Sequence, residues 1–109
     1  LEITRVLEMY EEAINMMTDV LEAFEKEDTA KARQIFKKDE LLDDINIKAN
    51  KIIADYIRQH PESIDSALYL LSIIRKLERV GDQAKNMAEE IIFYVEAKVL
   101  KHRTEKEKK

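Results

Sequence analysis

The sequence predicts an all-α fold, an antiparallel up-down-up bundle of three long helices. The 109 residues include one glycine, Gly81, and one proline, Pro61. A β-rich fold needs turn residues roughly every dozen positions, which this chain does not have. Hydrophobic residues make up 45% and charged residues 39% of the chain, a balance typical of amphipathic helices. Only two breaks interrupt the helical periodicity, and such short connections join antiparallel neighbours.

The first helix is predicted from the start of the chain to about residue 26. Its large apolar residues alternate spacings of four and three, the heptad pattern of a helix with one apolar seam. The seam comprises Ile3, Leu7, Tyr10, Ile14, Met17, Leu21 and Phe24. We expect the other two helices to bury this seam. The helix ends near residue 27, where Asp28 or Thr29 can cap the next helix.

The second helix is predicted over residues 30–59. Its core face holds Ile35, Leu42, Ala49, Ile52 and Ile53. It ends before Pro61, because a proline drives the preceding residue out of helical geometry. An extended coiled-coil hairpin that dimerises would show the same loops and is the alternative helical interpretation.

The third helix is predicted over residues 64–98, with Ser63 as its cap. Residues 103–109, RTEKEKK, have no apolar anchor. We therefore divide the chain into a three-helix bundle, residues 1–102, and a charged, disordered tail, residues 103–109.

Glycine inside the third helix requires a reason, because it costs about 1 kcal/mol relative to alanine. Gly81 falls on the core face between Leu77 and Ala84. We expect another backbone to approach closely at this point.

Several function classes are excluded or disfavoured by composition and motifs. Without cysteine there is no thiol catalysis and no zinc–thiolate site. The net charge of −4 gives no attraction for nucleic acid, and no run reaches the roughly 18 apolar residues of a membrane span. His60 and His102 lie outside any Glu-x-x-His pattern, and no nucleophile is paired with a base. We expect no catalytic residues and no enzymatic activity.

Two acidic pairs lie beside the predicted core. They are Asp39 with Asp43 on the second helix, in DELLD, and Glu78 with Asp82 on the third, in ERVGD. Like charges four residues apart repel by about 0.2–0.5 kcal/mol, and a cation relieves that repulsion. Four carboxylates on facing helix edges offer hard oxygen ligands, suited to Mg²⁺, Ca²⁺, Mn²⁺ or iron.

The alternative is that these acids simply pair with neighbouring bases. The candidates are Lys85 for Asp82, Arg75 for Glu78, and Lys37 and Lys38 for Asp39. Acidic pairs four residues apart are common in a chain with this many charges, so spacing alone leaves both interpretations open.

Two segments resemble the PhoU family. They are LLSIIRKLERVGDQAKNMAEEIIFYVEAK, residues 70–98, and KKDELLDDIN, residues 37–46, separated by the Pro61 loop. The resemblance implies an all-helical fold built of similar three-helix bundles. It also implies that the matching acids, Asp39, Asp43, Glu78 and Asp82, bind iron or another divalent ion such as Mg²⁺ or Mn²⁺.

The resemblance further implies a cytoplasmic negative regulator of phosphate uptake. Such a regulator acts through the ATPase subunit of a phosphate ABC transporter and through a membrane sensor histidine kinase. The alternative is a metal-binding or structural module attached to an ion channel or a sodium–phosphate cotransporter. A carboxylate-metal hydrolase or oxidase is a third class.

The resemblance covers one repeat of a family built from two, and the ending resembles the C-terminal repeat. We expect either the C-terminal half of a longer protein or a single-repeat relative. A face that packs on a sister bundle would be exposed on a single repeat, which favours a homo-oligomer, most simply a dimer. Tyr69, Phe93 and Tyr94 on the outer side of the third helix either mark such an interface or are ordinary exposed side chains.

Overall fold

Three long helices make up the computed structural model, which describes residues 4–107, with side chains to residue 103. They are α1, Val6–Lys26, α2, Thr29–Gln59, and α3, Ile64–Glu107, with a 3-10 turn at Pro61–Ser63. Residues 4–107 contain no strand. The all-α prediction is confirmed.

The helices run up, down and up along a molecule of 74 × 17 × 17 Å. An ion pair between Lys38 and Asp19 joins α2 to α1, and Arg75 donates to Asn50 across α3 and α2 at 3.2 Å. The rings of Phe24 and Tyr94 lie 6.4 Å apart near the same end of the bundle, which shows that α3 runs parallel to α1.

The ends of α1 and α2 follow the predicted signals, whereas α3 is longer than predicted. The Asp28 side chain accepts a hydrogen bond from the Lys31 amide at 3.0 Å and caps α2. Ser63, the predicted cap of α3, is the last residue of the 3-10 turn. The structure continues α3 past residue 98, so residues 103–107 of the predicted tail are helical. Residues 108–109 lie outside the described residues, and the division into bundle and tail stays a prediction.

The prediction for the buried face of α1 is wrong. The residues that it buries are Met9, Ala13, Met16, Val20 and Ala23. Those predicted for the core are mostly exposed, namely Leu7, Tyr10, Ile14, Leu21 and Phe24. Met17 is partly buried, and Ile3 lies outside the described residues.

The two apolar faces of α1 lie about 110° apart around the helix axis, at 100° per residue. The buried face carries the alanines Ala13 and Ala23, which let α1 approach its neighbours closely. Alanines also line the facing helices, among them Ala32, Ala49, Ala67, Ala84 and Ala88. Close packing at small residues therefore selects the buried face, and the larger side chains remain outside.

Among the described residues, no helix combines the length and the apolar character that crossing a membrane requires.

Candidate metal centre

Three carboxylates from two helices meet near the middle of the bundle. Asp39 and Asp43 lie one turn apart on α2, and Asp82 lies opposite them on α3. One carboxylate oxygen from each of the three residues lies within 4.8 Å of the other two. The structure therefore brings together three of the four acids that the sequence singled out.

Asp39 lies deeper than predicted. Its helical position suggested the border of the core, but the residue is only 2% exposed. Its Oδ2 atom lies 3.5 Å from Lys85 Nζ on α3. Its Oδ1 atom is buried and has no hydrogen-bond partner. A buried carboxylate oxygen without a partner lowers the stability of the fold. This atom is therefore available to accept a hydrogen bond or to bind a cation.

Gly81 explains how a carboxylate fits at this depth. A Cβ atom added to Gly81 would lie 2.5 Å from Leu42 Cδ2 and 2.9 Å from Asp39 Oδ1, closer than real side chains allow. The glycine therefore leaves the space that Leu42 and Asp39 occupy. The predicted close approach is present, but side chains of α2 make it rather than the backbone.

Burial and like charge both act on these acids. Burial raises the pKa of Asp39, and the neighbouring charges of Asp43 and Asp82 add to this, while Lys85 opposes it. Burial likewise raises the pKa of Glu78, reinforced first by Asp82 and then by Asp43 and Asp39. Both carboxyl groups therefore resist ionisation in the absence of a further cation.

Glu78 stands apart from the other three acids. It lies one turn before Asp82 on α3 and is half-buried, but its carboxylate is not part of the close set. Burial raises the pKa of Glu78, and the charges of the three neighbouring acids add to this effect. The structure therefore places Glu78 beside the three-carboxylate cluster, Asp39, Asp43 and Asp82.

Few of the bases proposed as partners serve these acids. Lys38 forms its ion pair with Asp19 on α1, and Arg75 donates to Asn50. Lys85 reaches Asp39 across the helix interface instead of Asp82 on its own helix. Sequence reasoning missed this role of Lys85, because spacing within one helix carries no information about contacts between helices.

The spacing of the cluster fits a hard cation. Oxygens that share one Ca²⁺ at about 2.3–2.6 Å lie at most about 5 Å apart. The three carboxylates satisfy that limit, and Asp39 supplies an oxygen with no other partner. A set made only of oxygens suits magnesium, calcium, manganese or iron better than a soft metal.

Comparison with known proteins gives consistent relatives. A family model described as the PhoU domain matches residues 6–91. The chain is 34% identical over 94 residues to phosphate-specific transport system accessory protein PhoU homolog 1 of Thermotoga maritima, covering 86% of the chain and 40% of that protein. It is 32% identical over 89 residues to phosphate-specific transport system accessory protein PhoU of Escherichia coli, covering 82% and 37%. A homolog from Pseudomonas putida is 32% identical over 88 residues, covering 81% and 34%. The chain thus spans well under half the length of these relatives.

Proposed function

Because the chain belongs to the PhoU family, we propose that it works as a regulatory accessory module of phosphate transport and not as an enzyme. The observation that carries the proposal is the family match over residues 6–91, together with relatives that are named for phosphate-specific transport. Their sequences align with more than four-fifths of this chain. The proposed action is negative regulation of phosphate uptake in the cytoplasm.

We propose two partners for this regulation, the ATPase subunit of a phosphate ABC transporter and the cytoplasmic part of a sensor histidine kinase. A bundle of this shape offers long helical surfaces for such contacts. Several large apolar side chains are exposed on it, including Phe93 and Tyr69. Exposed apolar surface is typical of proteins that act by docking.

We propose further that the three-carboxylate cluster binds a divalent or iron ion. The orphaned Oδ1 of Asp39 and the raised pKa values of Asp39 and Glu78 support this role. A bound cation would supply the positive charge that the neighbouring side chains do not provide. It would also link α2 to α3, because Asp43 and Asp82 come from different helices.

Self-association is the third element of the proposal. The outward apolar seam of α1 supports it, because monomeric proteins rarely leave large apolar patches in water.

Binding of the purified chain to its partners tests the regulatory role. The chain is mixed separately with the transporter ATPase subunit and with the cytoplasmic part of the sensor kinase, with and without Mn²⁺. We expect a complex with at least one of them, measured by co-elution and by titration calorimetry. A chain that binds neither partner, but binds the regulatory domain of an ion channel or cotransporter, contradicts the phosphate-transport role and favours the alternative.

Metal binding has a separate readout. Calorimetric titration with Mn²⁺, Mg²⁺ and Ca²⁺ should show one saturable site per chain, with Zn²⁺ no tighter than expected for oxygen ligands. If no ion binds at millimolar concentration, the metal proposal fails.

A further inference from the structure

Lys85 brings a positive charge from α3 to the three-carboxylate cluster. Its Nζ atom lies 3.5 Å from Asp39 Oδ2, and its side chain is 37% exposed, whereas that of Asp39 is 3% exposed. A lysine ammonium is a compact unit charge on a flexible four-carbon chain. This charge therefore lies at the same carboxylate that a bound metal ion would use.

Asp39 lies against two neighbouring turns of α3, one with Gly81 and one with Lys85. Its Oδ1 atom faces Gly81, since a Cβ atom added to that glycine would lie 2.9 Å from it, and its Oδ2 atom faces Lys85. Gly81 and Lys85 are four residues apart and share one side of the helix. A long side chain on a helix points towards the preceding turn, so Lys85 is directed back towards Asp82 and the cluster.

The contact between Lys85 and Asp39 is looser than another ion pair between the same two helices. Arg33 of α2 and Glu96 of α3 approach to 2.7 Å, compared with 3.5 Å between Lys85 and Asp39. More than a third of the Lys85 side chain is exposed, so bond rotation can move the ammonium into water without moving the backbone. Charge therefore holds Lys85 at the cluster, and the side chain is free to leave it.

The buried carboxylate needs a positive charge nearby whether or not a metal ion is bound. Asp39 is 2% exposed, and a buried carboxylate without a counter-ion destabilises the fold. Its Oδ1 atom has no hydrogen-bond partner, so the ammonium at Oδ2 leaves the second oxygen unsatisfied. A single lysine also carries less positive charge than three carboxylates can balance. Lys85 therefore supplies part of the charge that the cluster requires, and a divalent ion supplies more.

The ammonium and a metal ion exclude each other from the cluster. An ion held at about 2.1–2.6 Å by either oxygen of Asp39 would lie within roughly 8 Å of the Lys85 Nζ atom. Two positive charges at this distance repel each other, and water screens them poorly beside a buried carboxylate. A divalent ion carries twice the charge of the ammonium and contacts oxygens from two helices, so it displaces the ammonium when its concentration is high enough.

We infer that Lys85 is a tethered cation, which neutralises the cluster when no metal ion is bound and moves away when one binds. The inference rests on the metal proposal made above and adds a residue that sets the affinity without being a ligand. Lys85 stabilises the interface between α2 and α3 in the metal-free protein. The fold then does not depend on the metal, and half occupancy requires more metal ion than the carboxylates alone would need.

The affinity is tested with Lys85→Met in the full chain, a change that removes the charge and keeps a long, flexible side chain. We expect the affinity for Mn²⁺, measured by titration calorimetry, to rise roughly tenfold, because the ion no longer displaces an ammonium. Lys85→Arg keeps the charge and should not raise the affinity. The matched control is Lys31→Met, whose lysine is 28% exposed and pairs with Glu22 of α1. It should leave the affinity within about twofold of the parent, since Lys31 lies more than two turns from Asp39.

Urea unfolding separates this role from an ordinary structural one. Without metal, Lys85→Met should lower the unfolding midpoint by roughly 0.5 M, because Asp39 loses its counter-ion. Saturating Mn²⁺ should raise the midpoint of the variant by more than it raises that of the parent, since tighter binding stabilises more. Lys85→Gln, which keeps a polar group at the half-exposed position, should show the same two effects. A lysine that only packs between the helices would instead lower both the stability and the metal affinity when it is replaced.

The outcomes separate the inference from the metal proposal. If the parent binds Mn²⁺ and Lys85→Met binds it no more tightly, the tethered cation is overturned and the metal proposal stands. A gain in Lys31→Met equal to that in Lys85→Met also overturns it, because the gain would then reflect net charge alone. Binding by Lys85→Met but not by the parent supports the tethered cation. If neither chain binds Mn²⁺ at millimolar concentration, the metal proposal fails and the inference fails with it.

Discussion

Two clusters of acids lie at the two interfaces of α2, one with α1 and one with α3, and they differ in their basic partners. Towards α1, Glu12, Asp19 and Glu22 face Lys31 and Lys38. Lys31 pairs with Glu22 and lies 3.9 Å from Asp19, and Lys38 pairs with Asp19. Towards α3, the three-carboxylate cluster and Glu78 lie near Lys85, whose Nζ atom is 3.5 Å from Asp39 Oδ2.

Acid content alone therefore does not mark a candidate metal site in this chain. Hydrogen bonding and charge from Lys31 lower the pKa of Glu22, whereas burial and like charge raise the pKa of Asp39 and Glu78. The deciding feature is how many basic side chains of the facing helix neutralise the acids, because two lysines serve the acids of α1 and, among the described residues, only Lys85 reaches the cluster between α2 and α3. Where the facing helix offers few bases, a bound cation can provide the neutralising charge that lysines provide at the other cluster.

Loss of charge at the cluster should have the largest effect. Asp43→Asn with Asp82→Asn keeps side-chain shape and removes two negative charges from the ligand set, so the affinity for Mn²⁺ should fall roughly a hundredfold. The apo protein should remain folded, because relief of repulsion offsets lost interactions. Titration calorimetry measures the change. The matched control, Asp19→Asn with Glu22→Gln, alters the lysine-paired cluster and should leave the affinity unchanged. Equal losses in both variants would remove the distinction between the two clusters.

Removing a lysine should make the first cluster resemble the second. Lys38→Met leaves Asp19 without its nearest cation, and Glu12 Oε1 is already buried without a hydrogen-bond partner. We expect a loss of about 1–2 kcal/mol in the free energy of unfolding, measured with urea. The control Lys48→Met removes an exposed pair with Asp44 and should cost less than about 0.5 kcal/mol. A similar cost for both variants would show that the α1/α2 lysines contribute no more than surface charges.

Gly81→Ala tests the packing that sets the second cluster apart. The added methyl would overlap Leu42 and Asp39, at a cost of about 1–3 kcal/mol, while the better helix propensity returns about 1 kcal/mol. A net loss of about 1 kcal/mol is expected by urea unfolding. In the Leu42→Ala background, which removes the Cδ2 atom, the same change should cost less, because only the overlap with Asp39 Oδ1 remains. Equal effects in both backgrounds would contradict the role given to Leu42.

The smallest effect is on the pH dependence of stability. The folded-state pKa values of Asp39 and Glu78 are raised, so their contribution to stability is present below the unfolded pKa and is lost as pH rises through the folded pKa. Glu22 has a lowered pKa and acts with the opposite sign. Asp39→Asn with Glu78→Gln should therefore gain stability relative to the parent as pH rises above about 4, in metal-free urea titrations. An unchanged difference across that range would contradict the assigned shifts.

The ends of α1 and α2 and the acidic pairs were predictable because they depend on local signals, whereas α3 continues past its predicted end at residue 98. Asp28 caps α2 through its own side chain, and Pro61 ends α2 whatever surrounds it. The buried face of α1 was not predictable in the same way. Periodicity gives weight to large residues such as Leu21, whereas close helix contact selects Ala13 and Ala23.

The candidate site shows the same limit. Spacing along each helix identified Asp39, Asp43 and Asp82, and the structure brings them together. The depth of Asp39 and the reach of Lys85 depend on how α2 and α3 are placed against each other. That placement depends on both helices, because the sequence of one helix does not show which residues of its neighbour lie opposite a given turn.

Gly81 also fixes how α3 can move. Leu42 and Asp39 occupy the notch that the glycine leaves, so a slide of α3 by one turn would bring Leu77 or Lys85 to the same point and produce a steric clash. The distance between Asp43 and Asp82 is therefore set by helix register rather than by loop flexibility. A cation that binds between them therefore contacts oxygens whose separation is nearly fixed. A site of fixed size discriminates among ions of equal charge by their radius.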